Sequence, residues 1–407
     1  MLNPKRGMRR GNRELIKEIN RNLVLNLINS QGPISRTELA RLSGLSAATI
    51  TGITADFIDI DLIFEKEEGD SSGGRRPILL AVNPRGGFTV GLKLTEEYVI
   101  GALTDLQVTV IANHSSRLNT RSPGDAIDTM ANVVQRLLQV GSIEEDKLLG
   151  VGIGMAGIVH ATQGVLHHSP IFGWRDVPIK ELLQDRLGVP VYIDNDVNTL
   201  TLTEKWFGAG QGVDHFLTVT IGRGVGLGIV LNGQVYRGSY GGAGEFGHTV
   251  IDPDGPPCAC GKRGCLETFT SDPGLLRSAA EAAARGEMDT VVDTAEGLLE
   301  LAEKGDPIVR AIYARAGQVL GIGIANLINL LSPQLIIISG EGVRAREWIF
   351  DSMKDAIGQN VMPGLEKGTE IRVDVWDDDA WARGAASLVL KELFESPIHK
   401  EIAELPA

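Results

Sequence analysis

Cysteine is almost missing from this sequence. Its 407 residues contain three, Cys258, Cys260 and Cys265, all inside the eight-residue stretch CACGKRGC. An odd count leaves one thiol over, and a bridge between Cys258 and Cys260 would close a strained small ring. A disulfide framework is therefore excluded. Also missing is an apolar run of membrane-spanning length, since VLGIGIANLINLL is interrupted by Asn326 and Asn329. No apolar run follows the charged start MLNPKRGMRR, so no secretory signal and no membrane association are expected, and the expected location is the reducing cytoplasm. Basic charge is scarce over most of the chain. The net charge is −13, yet residues 1–85 carry 13 Lys/Arg against 10 Asp/Glu, which leaves −16 for the remainder. An acidic body repels polyanions, so only the front end is suited to meet one.

What is present fits a globular protein of two or three domains: 43% hydrophobic and 22% charged residues, with 50 glycines placed in short motifs. Clustered thiols in a reducing compartment point to metal. Gly261 and Gly264 let the backbone fold around an ion, and thiolates suit structural zinc. Zinc wants four ligands. His248 is the nearest upstream imidazole and completes a Cys3His set with Cys258, Cys260 and Cys265. The alternative is three ordinary thiols in a Gly-rich loop.

In the front end, Ile16, Ile19, Leu23 and Leu27 recur at helical spacing and predict one buried helix face. Ser35 with Glu38 forms a capping box for a short helix whose Leu39, Ala40 and Leu42 are expected to face inward. Gly44 suits a tight turn, and Ser46 caps a second helix with Ile50, Ile53 and Phe57 towards the core. Two short helices joined by a Gly turn predict a helix-turn-helix. The small and hydroxylated Ser46, Ala47, Thr49 and Thr51 at its second helix are candidate DNA contacts. Two strands follow, LIFEKEEG and RPILLAVN, joined by a tip with Arg75 and Arg76 that suits phosphates or a narrow minor groove. This predicts a winged helix-turn-helix; the alternative is a helical interaction domain, and Glu67, Glu68 and Asp70 in the wing oppose DNA.

In the body, GFTVGLKL, YVIGALTDL and VTVIANHSS read as three successive strands, and after Asp214 the same opening recurs in HFLTVTIG, VGLGIVLN and QVYRG. The repetition predicts a duplicated α/β architecture with a cleft between lobes. The strand VYIDNDVNTL ends in Asp194, Asn195, Asp196 and Asn198, groups that can bond a polyol or take its proton. Asp194 is expected to cap the next helix, and Asn195 and Asp196 to meet a ligand. Glu245 and Glu267 flank the metal loop, which would hold both carboxylates rigidly.

GEFGH, CACGKRGCLE, DNDVN and GIGMAGIV resemble the ROK family of repressors, open reading frames and sugar kinases. The resemblance covers nearly the whole chain, because the front end is similar to that of the family's transcriptional repressors, those responding to xylose, glucose and N-acetylglucosamine included. It implies a two-lobed actin-like, hexokinase-like (ribonuclease H-like) α/β body. It also implies zinc on His248 and the three cysteines, and a sugar site at Gly157, Asn195, Asp196, Glu245, His248 and Glu267, with Asp196 at the position of the kinases' general base. His248 would use one ring nitrogen for zinc and the other for the sugar.

One family feature is lacking. Where kinases carry Asp-x-Gly-Gly-Thr to seat phosphate and magnesium, this chain has Lys93, Leu94, Thr95, Glu96 and Glu97. Carboxylates repel phosphate oxygens. TIGRGVGLG keeps Gly222, Gly224, Gly226 and Gly228 but has Arg223 for the usual threonine; ISGEG places Glu341 between Gly340 and Gly342; Ile171 stands where the family often has asparagine. The expectation is a sugar-responsive regulator, read as a repressor and not an enzyme, that binds a palindromic operator as a homodimer, with a tetramer left open. The rivals are an ATP-dependent sugar kinase with an appended DNA-binding domain and a regulator controlled by a protein partner. The expected domains are 1–85 for DNA, 86–200 plus a C-terminal helix at about 387–407 for the smaller lobe, and 201–386 for the larger.

Overall fold

The computed structural model describes residues 13–66, 78–365, 367–375 and 379–394. The front end comprises α1 (Arg13–Gln31), β1 (Ile34–Ser35), α2 (Arg36–Ser43), α3 (Ala47–Asp59), β2 (Ile63–Lys66) and β3 (Leu79–Val82), with the strands ordered β1-β3-β2. The expected caps form. Ser35 accepts from the Glu38 amide, Gly44 ends α2 at φ 69°, and Ser46 accepts from the Thr49 amide. Ile50, Ile53 and Phe57 are buried as expected. The buried face of α1 is only partly the expected one: Leu27 packs against the core and Ile19 is half-buried. Val24, Leu25 and Ile28 enter the core, whereas Ile16 and Leu23 are exposed. Two apolar stripes lie about 100° apart on this helix, and periodicity alone does not choose between them. Leu42 is exposed too, because α2 stops one residue later and its last turn leaves the core. Arg75 and Arg76 lie outside the described residues.

The body contains two five-stranded sheets of identical topology. The first uses β4 (Phe88–Leu94), β5 (Tyr98–Asp105), β6 (Val110–Arg117), β7 (Leu148–Met155) and β11 (Val191–Asn195), ordered β11-β7-β4-β5-β6. The second uses β12 (Phe216–Ile221), β13 (Val225–Leu231), β14 (Gln234–Val235), β15 (Leu335–Ser339) and β16 (Glu370–Val373), ordered β14-β13-β12-β15-β16. In both, the first three strands form an antiparallel meander, and the fourth and fifth add in parallel beside the first. The expected duplication is thus present. A small sheet of β8 (Ile158–His160), β9 (Val165–Ser169) and β10 (Trp174–Val177) was not foreseen.

Helices α4 (Pro123–Gly141) and α5 (Ile179–Leu187) cover the first sheet, and α6 (Asp196–Phe207) follows β11. After α7 (Glu267–Thr270), α8 (Asp272–Ala284) and α9 (Ala295–Glu303), the long α10 (Pro307–Leu331) packs against α11 (Arg346–Asn360) in the core of the second sheet. Among the described residues α10 alone is long and apolar enough to cross a membrane, and it is mostly buried within this core. The final helix, α12 (Asp379–Phe394), starts ahead of the boundary expected near 387, and it packs along β4, β7 and α6.

Helices α6 and α12 pack against each other. Their far ends carry Trp206, Phe207, Leu390 and Phe394 into the same apolar cluster as α1, α3 and β3. Asn26 on α1 donates to the Phe394 carbonyl at 2.7 Å. The front end is thereby joined to helices whose other ends lie at the polar residues described next.

Candidate functional site

β11 runs out at Asn195, and α6 begins at Asp196. The expected cap is displaced by one residue. Asn195, not Asp194, caps α6, its Oδ1 accepting from the Val197 and Asn198 amides while its Nδ2 donates to the Gly157 carbonyl at 3.2 Å. Gly157 has φ 132°, and a Cβ there would lie 2.4 Å from the His168 carbonyl oxygen, so the turn beside Asn195 requires glycine. Asp194 is fully buried. Its Oδ1 accepts from the Asn195 amide and Asn198 Nδ2, and its Oδ2 accepts from Arg237. Arg237 follows β14 of the other sheet, so this ion pair ties the two sheets together beneath Asn195 and Asp196.

Asp196 is half-buried at the start of α6. Burial raises its carboxyl above the usual range, opposed by Lys93 and reinforced by Glu341. Glu245 is also raised by burial; the imidazoles of His248 and His168 pull it down, while Glu267 and Asp196 push it up. His248 joins these groups, with Nε2 4.0 Å from Glu245 and Nδ1 4.0 Å from Glu267. Glu267 is fixed from the other side, accepting from the Val225 amide at 3.1 Å. The expected ligand positions thus fall in two contacting groups, Gly157 with Asn195 and Asp196, and Glu245 and Glu267 on either side of His248, with Asp196 within electrostatic reach of Glu245.

The metal-binding expectation has a geometric counterpart. One donor atom each from His248, Cys258, Cys260 and Cys265 lies within 4.8 Å of every other. Cys258 Sγ is 3.5 Å from His248 Nδ1, and Cys260 Sγ is 3.7 Å from Cys265 Sγ. Donors on a tetrahedral zinc with bonds of about 2.0–2.3 Å lie at about these separations. Three sulfurs and one imidazole suit zinc by softness as well. Gly264, at φ 62°, would bring a Cβ to 1.4 Å from the Asp252 carbonyl oxygen, so the loop closes only over glycine.

The glycines of TIGRGVGLG meet side chains. A Cβ on Gly228 would lie 1.8 Å from Thr201 Oγ1 and one on Gly226 2.5 Å from Val197, so both serve the close packing of α6 on β13. Gly222 is faced by the Glu341 carboxylate, which would lie 2.6 Å from a Cβ there, and Gly224 by Glu267 at 2.9 Å. Lys93 sits 3.8 Å over the Trp381 ring of α12, within electrostatic reach of Asp196.

The profile of the ROK family matches residues 89–392. The chain belongs to the ROK family. The xylose repressor of Bacillus subtilis strain 168 is 30% identical over 380 residues, covering 93% of this chain and 97% of that protein. The Escherichia coli K12 transcriptional dual regulator NagC is 29% identical over 397 residues, covering 97% and 98%. Among solved structures, a ROK family transcriptional regulator homologous to the E. coli Mlc protein superposes with a TM-score of 0.84 at 28% identity, covering 96% of this chain and all 100% of that one. The ROK glucokinase of Streptomyces griseus in complex with glucose and AMPPNP gives 0.64 at 26%, covering 74% of this chain and 99% of the kinase. The α/β body of this ROK protein is thus that of the family's regulators and of its hexokinase-like sugar kinases.

Sequence reading missed Arg237, which lies at the end of QVYRG, a stretch read only as a strand.

Proposed function

We propose that this ROK protein is a sugar-responsive, DNA-binding transcriptional repressor acting in the cytoplasm. One observation carries the reading. The regulator structure covers 96% of the chain and the glucokinase 74%, while the family profile leaves residues 1–88 outside. The part that a kinase lacks is the basic front end. In this reading residues 1–85 form a winged helix-turn-helix. Ser46, Ala47, Thr49 and Thr51 meet the major groove, and Arg75 and Arg76 meet phosphates or the minor groove. Of these four residues, the cap Ser46 and the helix residues Ala47 and Thr51 are exposed, and Thr49 is half-buried. Two copies read a palindromic operator, because a twofold protein matches twofold DNA.

A neutral sugar binds at Gly157, Asn195, Asp196, Glu245, His248 and Glu267, between a lobe of residues 86–200 with the C-terminal helix and a lobe of the second sheet. Zinc, held by His248, Cys258, Cys260 and Cys265, supplies a structural crosslink and no reaction step. It fixes His248 and the chain leading into Glu267. Nucleotide is not bound: the Glu341 carboxylate faces Gly222 where phosphate would sit, and negative charge at contact distance repels it. Sugar reaches the DNA through α6 and α12. These helices of 12 and 16 residues start beside Asp196 and Trp381 and end in the apolar cluster of the front end. The sugar must bind two arrangements with different affinity for this coupling to act.

Asp196 occupies the position of a kinase base, so catalysis is the reading to test against. A coupled assay with ATP, magnesium, xylose, glucose and N-acetylglucosamine should give no turnover, while calorimetry with the same sugars should give binding. Turnover would establish the kinase; absence of all sugar binding would favour a protein partner.

A further inference from the structure

Glycines clear one face of the first sheet where α6 and α12 begin. A Cβ on Gly91 of β4 or Gly152 of β7 would overlap the Ala382 or Ala385 carbonyl of α12. One on Gly154 of β7 would lie 2.9 Å from Thr199 Oγ1 and 3.5 Å from Asp196 Cα. Lys93 stands opposite Gly154 in the parallel pair of β4 and β7, so its side chain leaves the sheet on this same face, about one strand spacing from the Gly154 position. It is half-buried, and its Nζ sits 3.8 Å over the ring of Trp381, the residue before Ala382. An indole face holds a cation electrostatically. The ammonium is thereby fixed at the sheet edge from which α6 starts.

The other charges about Asp196 are acidic or already paired. Glu341 follows β15 and faces Gly222, and Glu245 precedes the metal loop; both interact electrostatically with Asp196. Asp194 of β11 is held by Arg237, and Arg383 of α12 lies 6.0 Å from the Phe207 ring at the far end of α6. Burial and Glu341 raise the Asp196 carboxyl, and Lys93 draws it down. Asp196 Oδ1 accepts from the Val197 amide at 3.0 Å, which fixes the carboxylate at the helix start.

We infer that Lys93 is a positioning residue for ligand binding: held by Trp381, its ammonium is the fixed counter-cation of Asp196 and keeps that side chain an acceptor for a ligand hydroxyl. This deepens the sugar-binding reading and rests on it for the ligand, while the charge pairing stands without one. An ionised carboxylate only accepts, and a hydroxyl donates to it more strongly than to a neutral acid.

The test has a ligand-free arm and a sugar arm, both on the full zinc-loaded chain. Without ligand, thermal midpoints are followed against pH for wild type, Asp196→Asn, Lys93→Met and the double variant. The folded value of Asp196 lies above its unfolded value, so stability from its proton is lost as pH rises through the folded value. The pH at which the gain from Asp196→Asn stops growing should be about 1 unit or more higher alongside Lys93→Met than alongside Lys93. Alongside Lys93→Arg it should stay within about 0.3 unit of wild type, because a cation remains over the ring. Lys93→Gln, equally uncharged, gives the same comparison if Lys93→Met does not fold. The same end point with and without the lysine charge overturns the inference.

In calorimetry with xylose, glucose and N-acetylglucosamine, the pH at which affinity falls to half on acidification should rise by about 1 unit or more in Lys93→Met and Lys93→Gln, and not in Lys93→Arg. A loss equal at every pH marks packing or direct contact and also overturns it. Wild type that binds none of the three sugars removes the sugar reading, and the ligand-free arm still decides the pairing.

Discussion

Arg237 clasps Asp194 with Nη2 at 2.6 Å and Nε at 2.7 Å from the same carboxylate oxygen. The acid is fully buried and the guanidinium mostly so, and they come from different sheets. The other carboxylate oxygen accepts from the Asn195 amide and Asn198 Nδ2. Removing the cation leaves a buried charge unpaired. Arg237→Ala should cost about 3–5 kcal/mol in urea unfolding, and Arg237→Lys should recover only part, because an ammonium cannot reproduce the fork. An unchanged midpoint for Arg237→Ala contradicts the role given to the pair.

Cys260 is the exposed thiol of the metal set. Cys260→Ser should therefore lose zinc with little loss of packing. About one zinc per chain is expected in wild type and none in the variant by elemental analysis, with a lower thermal midpoint and sugar affinity reduced about tenfold or more. Burial, with the crowding of neighbouring thiols, pushes the metal-free Cys265 thiol up to about 12. Each thiolate must shed its proton to bind, so zinc affinity should fall as pH falls. A zinc-free variant with full sugar affinity contradicts this account.

Burial raises the Asp196 carboxyl above its ordinary value. Between the ordinary and the raised value, the folded chain holds a proton that the unfolded chain has released. Stability from this group is then full below the ordinary value and lost as pH rises to the raised one. Asp196→Asn removes that dependence. As pH rises from the ordinary carboxylate value, about 4, the difference in thermal midpoint should move in favour of the variant, while sugar binding is lost throughout. Parallel pH curves contradict the buried setting of the carboxyl.

Phe394 joins α12 to the front end, with its ring 6.2 Å from Trp206 and its carbonyl bonded to Asn26, and in the proposed coupling it ends the path from the cleft. Phe394→Leu should leave sugar affinity unchanged and shrink the sugar-induced change in DNA affinity. Both are read by calorimetry and DNA anisotropy. A full DNA response in a folded Phe394→Leu protein excludes α12 as the connection.

The cluster of His248 with three cysteines was legible in the sequence because its four donors fall between His248 and Cys265, within one turn-rich segment. The duplication was legible because each sheet opens with the same meander, whose strands alternate or run apolar over short spans. Arg237 and Asp194 were not, being 43 residues apart on separate sheets and joined only by the packing of both. Asn195 rather than Asp194 became the cap because Asp194 is drawn inward by Arg237. The face of α1 was only partly legible: Leu27 reaches the front-end core, but Val24, Leu25 and Ile28 fill it and Ile16 and Leu23 stay exposed. Two of the glycines in TIGRGVGLG, Gly226 and Gly228, pack α6, and only the neighbouring Val197 and Thr201 reveal it.

The central claim is that sugar occupancy in a ROK cleft changes DNA binding without nucleotide. The direct measurement is selection of DNA from a random pool by the zinc-loaded protein, followed by anisotropy titration of the enriched sequence with and without xylose, glucose or N-acetylglucosamine and with no ATP present. The expected result is enrichment of a palindromic sequence whose affinity changes at least about tenfold with one of the sugars. No enriched sequence, or equal affinity for it with every sugar that calorimetry shows bound, contradicts the claim.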